Sequence, residues 1–150
     1  MSTTLVDSSV LLDLLAPSPW RPWSSEHLAR AADTGDVGIN QVIYAEIAVG
    51  FESQERLERT LNGVGIRRLT LPWSASWLTA RAFGEYLARG GSRRIPLPDF
   101  FIGAHAQASG LTLLTRDPRR VRHAFPDLML VAPSELGRSR RRSRSPTDVD

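Results

Sequence analysis

No cysteine and no lysine occur in the 150 residues. The first absence excludes disulfides, thiolate metal ligands and thiol catalysis. The second excludes a phosphate-loop lysine, a Schiff-base lysine and a lysine-dependent phosphoacceptor site. All nineteen basic residues are arginine. The three histidines, His27, His105 and His123, read as ordinary surface or helix residues rather than catalytic bases. A long apolar run is also missing. The stretch from Leu5 to Leu15 is broken by Asp7 and Asp13 and has no basic segment before it. It therefore reads neither as a membrane span nor as a signal peptide. The expectation is a cytoplasmic protein without membrane contact.

What is present suits one compact domain: 41% of the residues are hydrophobic, enough for a real core. The net charge of +3 invites a nucleic-acid reading, but its location weakens it. Residues 137–150 hold five Arg against two Asp, and the preceding part balances fourteen Arg with fourteen acids. The excess charge lies in the tail. The sequence predicts a domain over 1–136 and a disordered Arg/Ser-rich tail over 137–150, whose composition cannot build a core.

Strand and helix patterns alternate along the domain. Strands are expected at Thr3–Val6, Val37–Ile39, Ile66–Leu71, Thr112–Leu114 and Leu128–Val131. Helices are expected at Val10–Leu15, capped by Ser8 or Ser9, and at Ser24–Ala32 with Ser25 as cap. Others are expected at Val42–Phe51, Glu55–Leu61 with a Glu55–Arg59 pair, Trp73–Leu87 and Asp99–Ala108. On the helix from Trp73, the residues Trp73, Trp77, Ala80 and Gly84 share one face, read as core or interface packing. Such alternation predicts an α/β fold with a parallel sheet between helices. In such sheets the site forms at the carboxyl ends of the strands. Asp7 follows the first strand directly, and Asp117 follows the fourth after Thr115 and Arg116.

Most acids need no special account. Glu52, Glu55 and Glu58 read as a solvated helix face, and Asp33, Asp36 and Asp127 as turn residues. Four others interrupt apolar segments: Asp7 in LVDSSVLLDLL, Glu46 in VIYAEIAVG, Asp99 before FFIGAHA and Asp117 at the end of LTLLTRD. Burying one unpartnered carboxylate costs several kcal/mol, and four together demand neutralisation by Arg or a divalent metal. Taken singly each acid has a plain alternative. Asp99 and Asp7 can cap helices, Glu46 can pair with an Arg, and Asp117 before Pro118 can open a turn. Jointly they predict a cluster. An all-oxygen set selects Mg²⁺ or Mn²⁺, which can activate water and neutralise charge on a phosphodiester.

The segments VDSSVLLDLL, AEIAVG and IPLPDFFIGAHAQASGLTLLTRDPRRVRHAFPDLMLV resemble PIN-domain ribonucleases, and more narrowly the VapC toxins of bacterial toxin–antitoxin pairs. The resemblance spans roughly Leu5 to Val131 and is most specific in its last block. It implies a three-layer α/β/α domain with about five parallel strands. It implies catalytic acids at Asp7, Glu46, Asp99 and Asp117, with Asp7, Asp99 and Asp117 ligating Mg²⁺ or Mn²⁺. Glu46 would ligate the metal or orient the attacking water, and Ser9 and Thr115 would support the site. It further implies cleavage of structured RNA such as tRNA or rRNA, inhibition by a cognate small antitoxin, and a homodimer. The Arg-rich tail departs from the family pattern. Arg116, Arg119 and Arg120 follow an active-site acid and suit either phosphate contact or a solvated turn with local ion pairs.

Three rivals use the same acids differently. A non-catalytic PIN-like scaffold binding RNA or protein has no need to keep all four acids. A phosphoacceptor receiver domain lacks its lysine here, and an aspartyl-nucleophile phosphatase would want a second Asp where Ser9 stands.

Overall fold

A computed structural model describes residues 2–91 and 97–134 of the chain. The expected tail and the end of the expected domain at residue 136 lie outside the described residues. Five strands form one all-parallel sheet in the order β3-β2-β1-β4-β5: β1 (Ser2–Val6), β2 (Gly35–Ile39), β3 (Arg67–Arg68), β4 (Thr112–Leu114) and β5 (Leu130–Val131). From β1 the chain steps outward to β2 and β3, then crosses back to β4 and β5. Right-handed crossovers in opposite directions place their helices on opposite faces. Thus α1 (Ser8–Leu15), α2 (Arg21–Thr34), α3 (Gln41–Ala48) and α4 (Gln54–Gly63) cover one face. The other is covered by α5 (Trp73–Ala88), α6 (Leu97–Ser109) and α7 (Arg119–Arg122).

The central strands β2, β1 and β4 end in buried apolar residues because both faces of the sheet are covered there, whereas the edge strand β3 is two exposed arginines. Leu5, Val6, Val37, Ile39, Leu113 and Leu114 are buried, joined by Val10, Ile43, Ile47, Leu57, Phe100 and Ala104 from the helices. Burying each large aliphatic side chain stabilises the fold by roughly 1.5–3 kcal/mol. Gly103 lets α6 approach closely, since a Cβ there would lie 2.6 Å from the Phe125 ring. The left-handed Gly110 (φ +64°) ends that helix before β4.

Several expectations change. Helix α2 starts at Arg21, with Pro22 in its first turn, so Ser25 is an exposed helical residue rather than a cap. Strand β3 is only two residues long, and the Leu69 N–H, donating to the Ile39 carbonyl at 2.7 Å, continues its pairing with β2 just past the strand end. Ser53 caps α4, accepting from the Arg56 N–H at 3.2 Å. Among the described residues Glu55 and Arg59 form no pair; Glu52 pairs with Arg56 instead. Glu58 does not belong to a solvated face. It accepts from the Tyr44 hydroxyl at 2.8 Å and pairs with Arg68, and the Tyr44 bond holds its carboxyl below the ordinary range. The Trp73 face of α5 is outermost, Trp73 being 91% and Trp77 67% exposed. The packed face is Ala75, Thr79 and Ala82, small residues that let α5 lie close to α6. Asp99 sits inside the first turn of α6, which starts two residues earlier at Leu97. The run after Pro118, read as a turn, forms the short helix α7.

Candidate active site

Strand order reverses between β1 and β4, the switch point at which open parallel sheets leave a crevice beyond their carboxyl ends. The two strands end level, with Val6 beside Leu114, and the Asp7 N–H continues the ladder to the Leu114 carbonyl at 2.9 Å. Side chains then join the strand ends. Ser9 and Thr115 both donate to Oδ2 of Asp7, at 2.7 and 2.8 Å. Each hydroxyl accepts a backbone N–H in turn: Arg116 N–H to Ser9 at 3.2 Å and Asp117 N–H to Thr115 at 3.1 Å. Asp7 stands at the N-cap of α1 but makes no side-chain capping bond. Its Oδ1 accepts no hydrogen bond among the described residues.

A cavity of about 210 Å³ opens here, lined by Asp7, Ser9, Glu46, Asp99, Thr115, Arg116 and Asp117 among others. All four acids singled out in the sequence therefore line this one cavity. Three of them are half-buried residues at strand or helix ends; Glu46 comes from the middle of α3, with its Oε1 shut off from solvent. Asp99, in the first turn of α6, benefits from the positive end of that helix. It is steadied by its neighbour Phe100, which packs against Phe83 and Tyr86 of α5 with centroids 5.2 and 5.5 Å apart.

The arginine expectations separate. Arg116 lines the cavity, but its Nε donates to Asp13 at 2.9 Å. Arg119 lies on a neighbouring cavity. The side chain of Arg120 lies outside the described residues.

Two elements of the site escape the sequence reading. Asp13 is buried in α1, where Ser18 and Ser24 each donate to it at 2.7 Å and Arg116 pairs with it. It interrupts the same apolar run as Asp7, LVDSSVLLDLL, and that interruption is the sequence signal that marks it. The second is a buried bridge between the helices that carry Glu46 and Asp99. Asn40 caps α3 by accepting the Ile43 N–H at 3.0 Å, which leaves its amide to donate to Nδ1 of His105 on α6, also at 3.0 Å. The imidazole is thereby neutral at that nitrogen, and burial holds its pKa below the ordinary value.

The donor set fits a hydrated hard cation. Every candidate ligand is an oxygen, Oδ1 of Asp7 is open, and the cavity has room for several waters. Among the described residues no three acidic or imidazole side chains are gathered tightly enough to hold a bare ion. Mg²⁺ gives up water reluctantly and typically takes only one or two carboxylates directly, so loosely gathered acids suit it.

The sequence model of the PIN domain family matches residues 4–126. The chain belongs to the PIN-domain family. Solved structures share this PIN fold. VapBC2 from Rickettsia felis, bound to a promoter DNA fragment, is 17% identical, with a TM-score of 0.70 over 88% of this chain and 99% of that one. DNA-bound VapBC from Salmonella typhimurium is 19% identical, with a TM-score of 0.65 over 88% and 98%. A toxin–antitoxin complex from Klebsiella pneumoniae is 21% identical, with a TM-score of 0.63 over 88% and 98%. None of the curated proteins compared matches the chain. Among the described residues no helix of this PIN domain is long and apolar enough to cross a membrane.

Proposed function

We propose that this PIN domain is a Mg²⁺- or Mn²⁺-dependent endoribonuclease and the toxin of a VapC-like toxin–antitoxin pair, hydrolysing phosphodiester bonds of structured RNA such as tRNA or rRNA. The observation that carries the reading is the cavity at the β1/β4 switch point lined by Asp7, Glu46, Asp99 and Asp117. Asp7, Asp99 and Asp117 would hold the cation. When bound, such a cation supplies charge neutralisation at the phosphate and lowers the pKa of a water molecule. The protein's own part is positioning. Ser9 and Thr115 fix the Asp7 carboxylate through Oδ2 and leave Oδ1 facing its task. Glu46, reaching the cavity from α3, orients the attacking water and accepts its proton. Arg116, whose Nε donates to Asp13, lines the cavity and brings a guanidinium within it suited to a phosphate oxygen.

The partner is a small antitoxin that occludes the cavity, placing an Arg among the carboxylates; the related complexes named above pair such domains with antitoxins. A homodimer and a cytoplasmic setting complete the proposal. The test is RNA cleavage by the purified protein with Mg²⁺, with Mn²⁺ and in excess EDTA. Cleavage that requires the cation and is suppressed by the co-expressed antitoxin supports the reading. Full cleavage in EDTA overturns it.

A further inference from the structure

A second cavity, of about 440 Å³, adjoins the acid-lined one, and its chemistry is the reverse. Its walls include Arg89, Arg119, His123 and Tyr86, with no acid among the described lining residues. The two cavities share framework. Asp99 lines one and Phe100, the next residue of α6, lines the other. Asp117 and Val121 face the first, while Arg119 and Ala124 face the second, so α7 forms the partition.

Five arginines elsewhere are engaged in ion pairs: Arg30, Arg56, Arg67, Arg68 and Arg116. Arg89 and Arg119 make no ion pair among the described residues. A cation at the C-terminal end of α5 has a plain use against the helix dipole, which accounts for Arg89. It does not account for Arg119 meeting it across one hollow. An RNA strand presents the matching need. Among its described lining residues the acid cavity sets four carboxylates against one arginine, Arg116, so beyond the phosphate being cut it disfavours a polyanion. The phosphates on either side must be held by separate cations.

We infer that the Arg89–Arg119 cavity is a substrate subsite, holding a phosphate of the RNA strand that flanks the one in the acid cavity. His123 adds a third polar contact, and Tyr86 gives an aromatic wall for the adjoining sugar or base. The inference rests on the ribonuclease reading for its orientation but not for its measurement.

The experiment is the salt dependence of binding to a fluorescein-labelled RNA hairpin in EDTA, comparing the parent with R89Q/R119Q. A matched control, R56Q/R59Q, removes the same charge from α4, outside both cavities. Each lost phosphate contact lowers the slope of log affinity against log salt by about 0.7–0.9. R89Q/R119Q should lose about 1.4–1.8 in slope and roughly 25-fold or more in affinity at 0.1 M salt, with little change at 1 M. R89K/R119K should restore most of it, and unchanged melting curves exclude misfolding. Equal slopes for R89Q/R119Q and the parent overturn the subsite, as does an equal loss in the control. If the parent cuts no RNA with any divalent cation but R89Q/R119Q still shows the selective loss, the ribonuclease reading falls and the RNA subsite stands. If the parent neither binds nor cuts RNA, both fall.

Discussion

Asp7, at the N-cap of α1, and Asp13, six residues on within that helix, each carry a carboxylate that accepts two hydroxyl hydrogen bonds of 2.7–2.8 Å. There the likeness stops. Asp13 is 3% exposed and closed off by Arg116, so its charge is neutralised inside the protein. Asp7 has no cationic partner among the described residues and opens onto a cavity shared with three further acids. The pair distinguishes a carboxylate that serves the fold from one kept available. What separates them is the supply of a counter-charge, not the number of hydrogen bonds.

Removing the open charges sharpens the contrast most. D99N should lower RNA cleavage by more than about 100-fold, because even supporting partners of a metal site are worth 10–100-fold. It should leave the cation-free protein as stable as the parent or more so, since it relieves like-charge repulsion. Mg²⁺ should raise the melting temperature of the parent and much less that of D99N. If D99N keeps both activity and the Mg²⁺ response, Asp99 serves only the helix.

D13A should behave the opposite way. It removes the Arg116 ion pair and the acceptor of two serine hydroxyls, for a loss of about 3 kcal/mol in a urea titration. That is the low end for breaking a buried pair, because a third of the Arg116 side chain stays in water. Equal stability of D13A and parent would erase the distinction between the two acids. T115V, which keeps shape and removes one hydroxyl from Asp7, should lower cleavage by about 10–100-fold with little change in urea midpoint. A T115V enzyme at the parent rate would show that Asp7 needs no such support.

Two smaller effects probe the frame around the acids. His105 is buried and its folded-state pKa lies below the ordinary 6.5, so the unfolded chain takes up its proton first. The stabilisation is complete above about pH 6.5 and is lost as pH falls below it, by at most about 1.4 kcal/mol per unit. The urea midpoint of the parent should drop between pH 7.5 and 5.5 by more than that of H105Q, whose amide can still accept from Asn40. Parallel drops would remove His105 from the account. The smallest effect belongs to the outer face of α5. W73Q/W77Q should shift monomer stability by less than about 0.5 kcal/mol, and a large loss would show that these rings pack against something.

The sheet, its parallel sense and the four acids of the cavity were legible because they rest on local patterns: short apolar runs, helical spacing, and charges set where charge is costly. Helix starts were less so. Asp7 and Asp99 looked like caps, yet α1 receives no side-chain bond from Asp7 and α6 begins before Asp99. Partnerships were hidden altogether. Nothing in the sequence links Asn40 to His105, 65 residues on, or Asp13 to Arg116, 103 residues on. The direction of α5 was also hidden: the Trp73 face suited either core or interface packing, and it is close approach to α6 that selects the alanine and threonine face for the core.

The bond from Thr115 to Asp7 spans 108 residues of chain. A growing polypeptide leaves the ribosome N-terminus first, at about 5–20 residues per second. Asp7 is thus made early and stays without Thr115 and Asp117 for several seconds, while β4 has yet to slot in beside β1. Nascent chains halted before Thr115 carry three of the acids and none of the finished pocket. A cell translating this message is exposed to a complete cavity only once nearly the whole domain has been released.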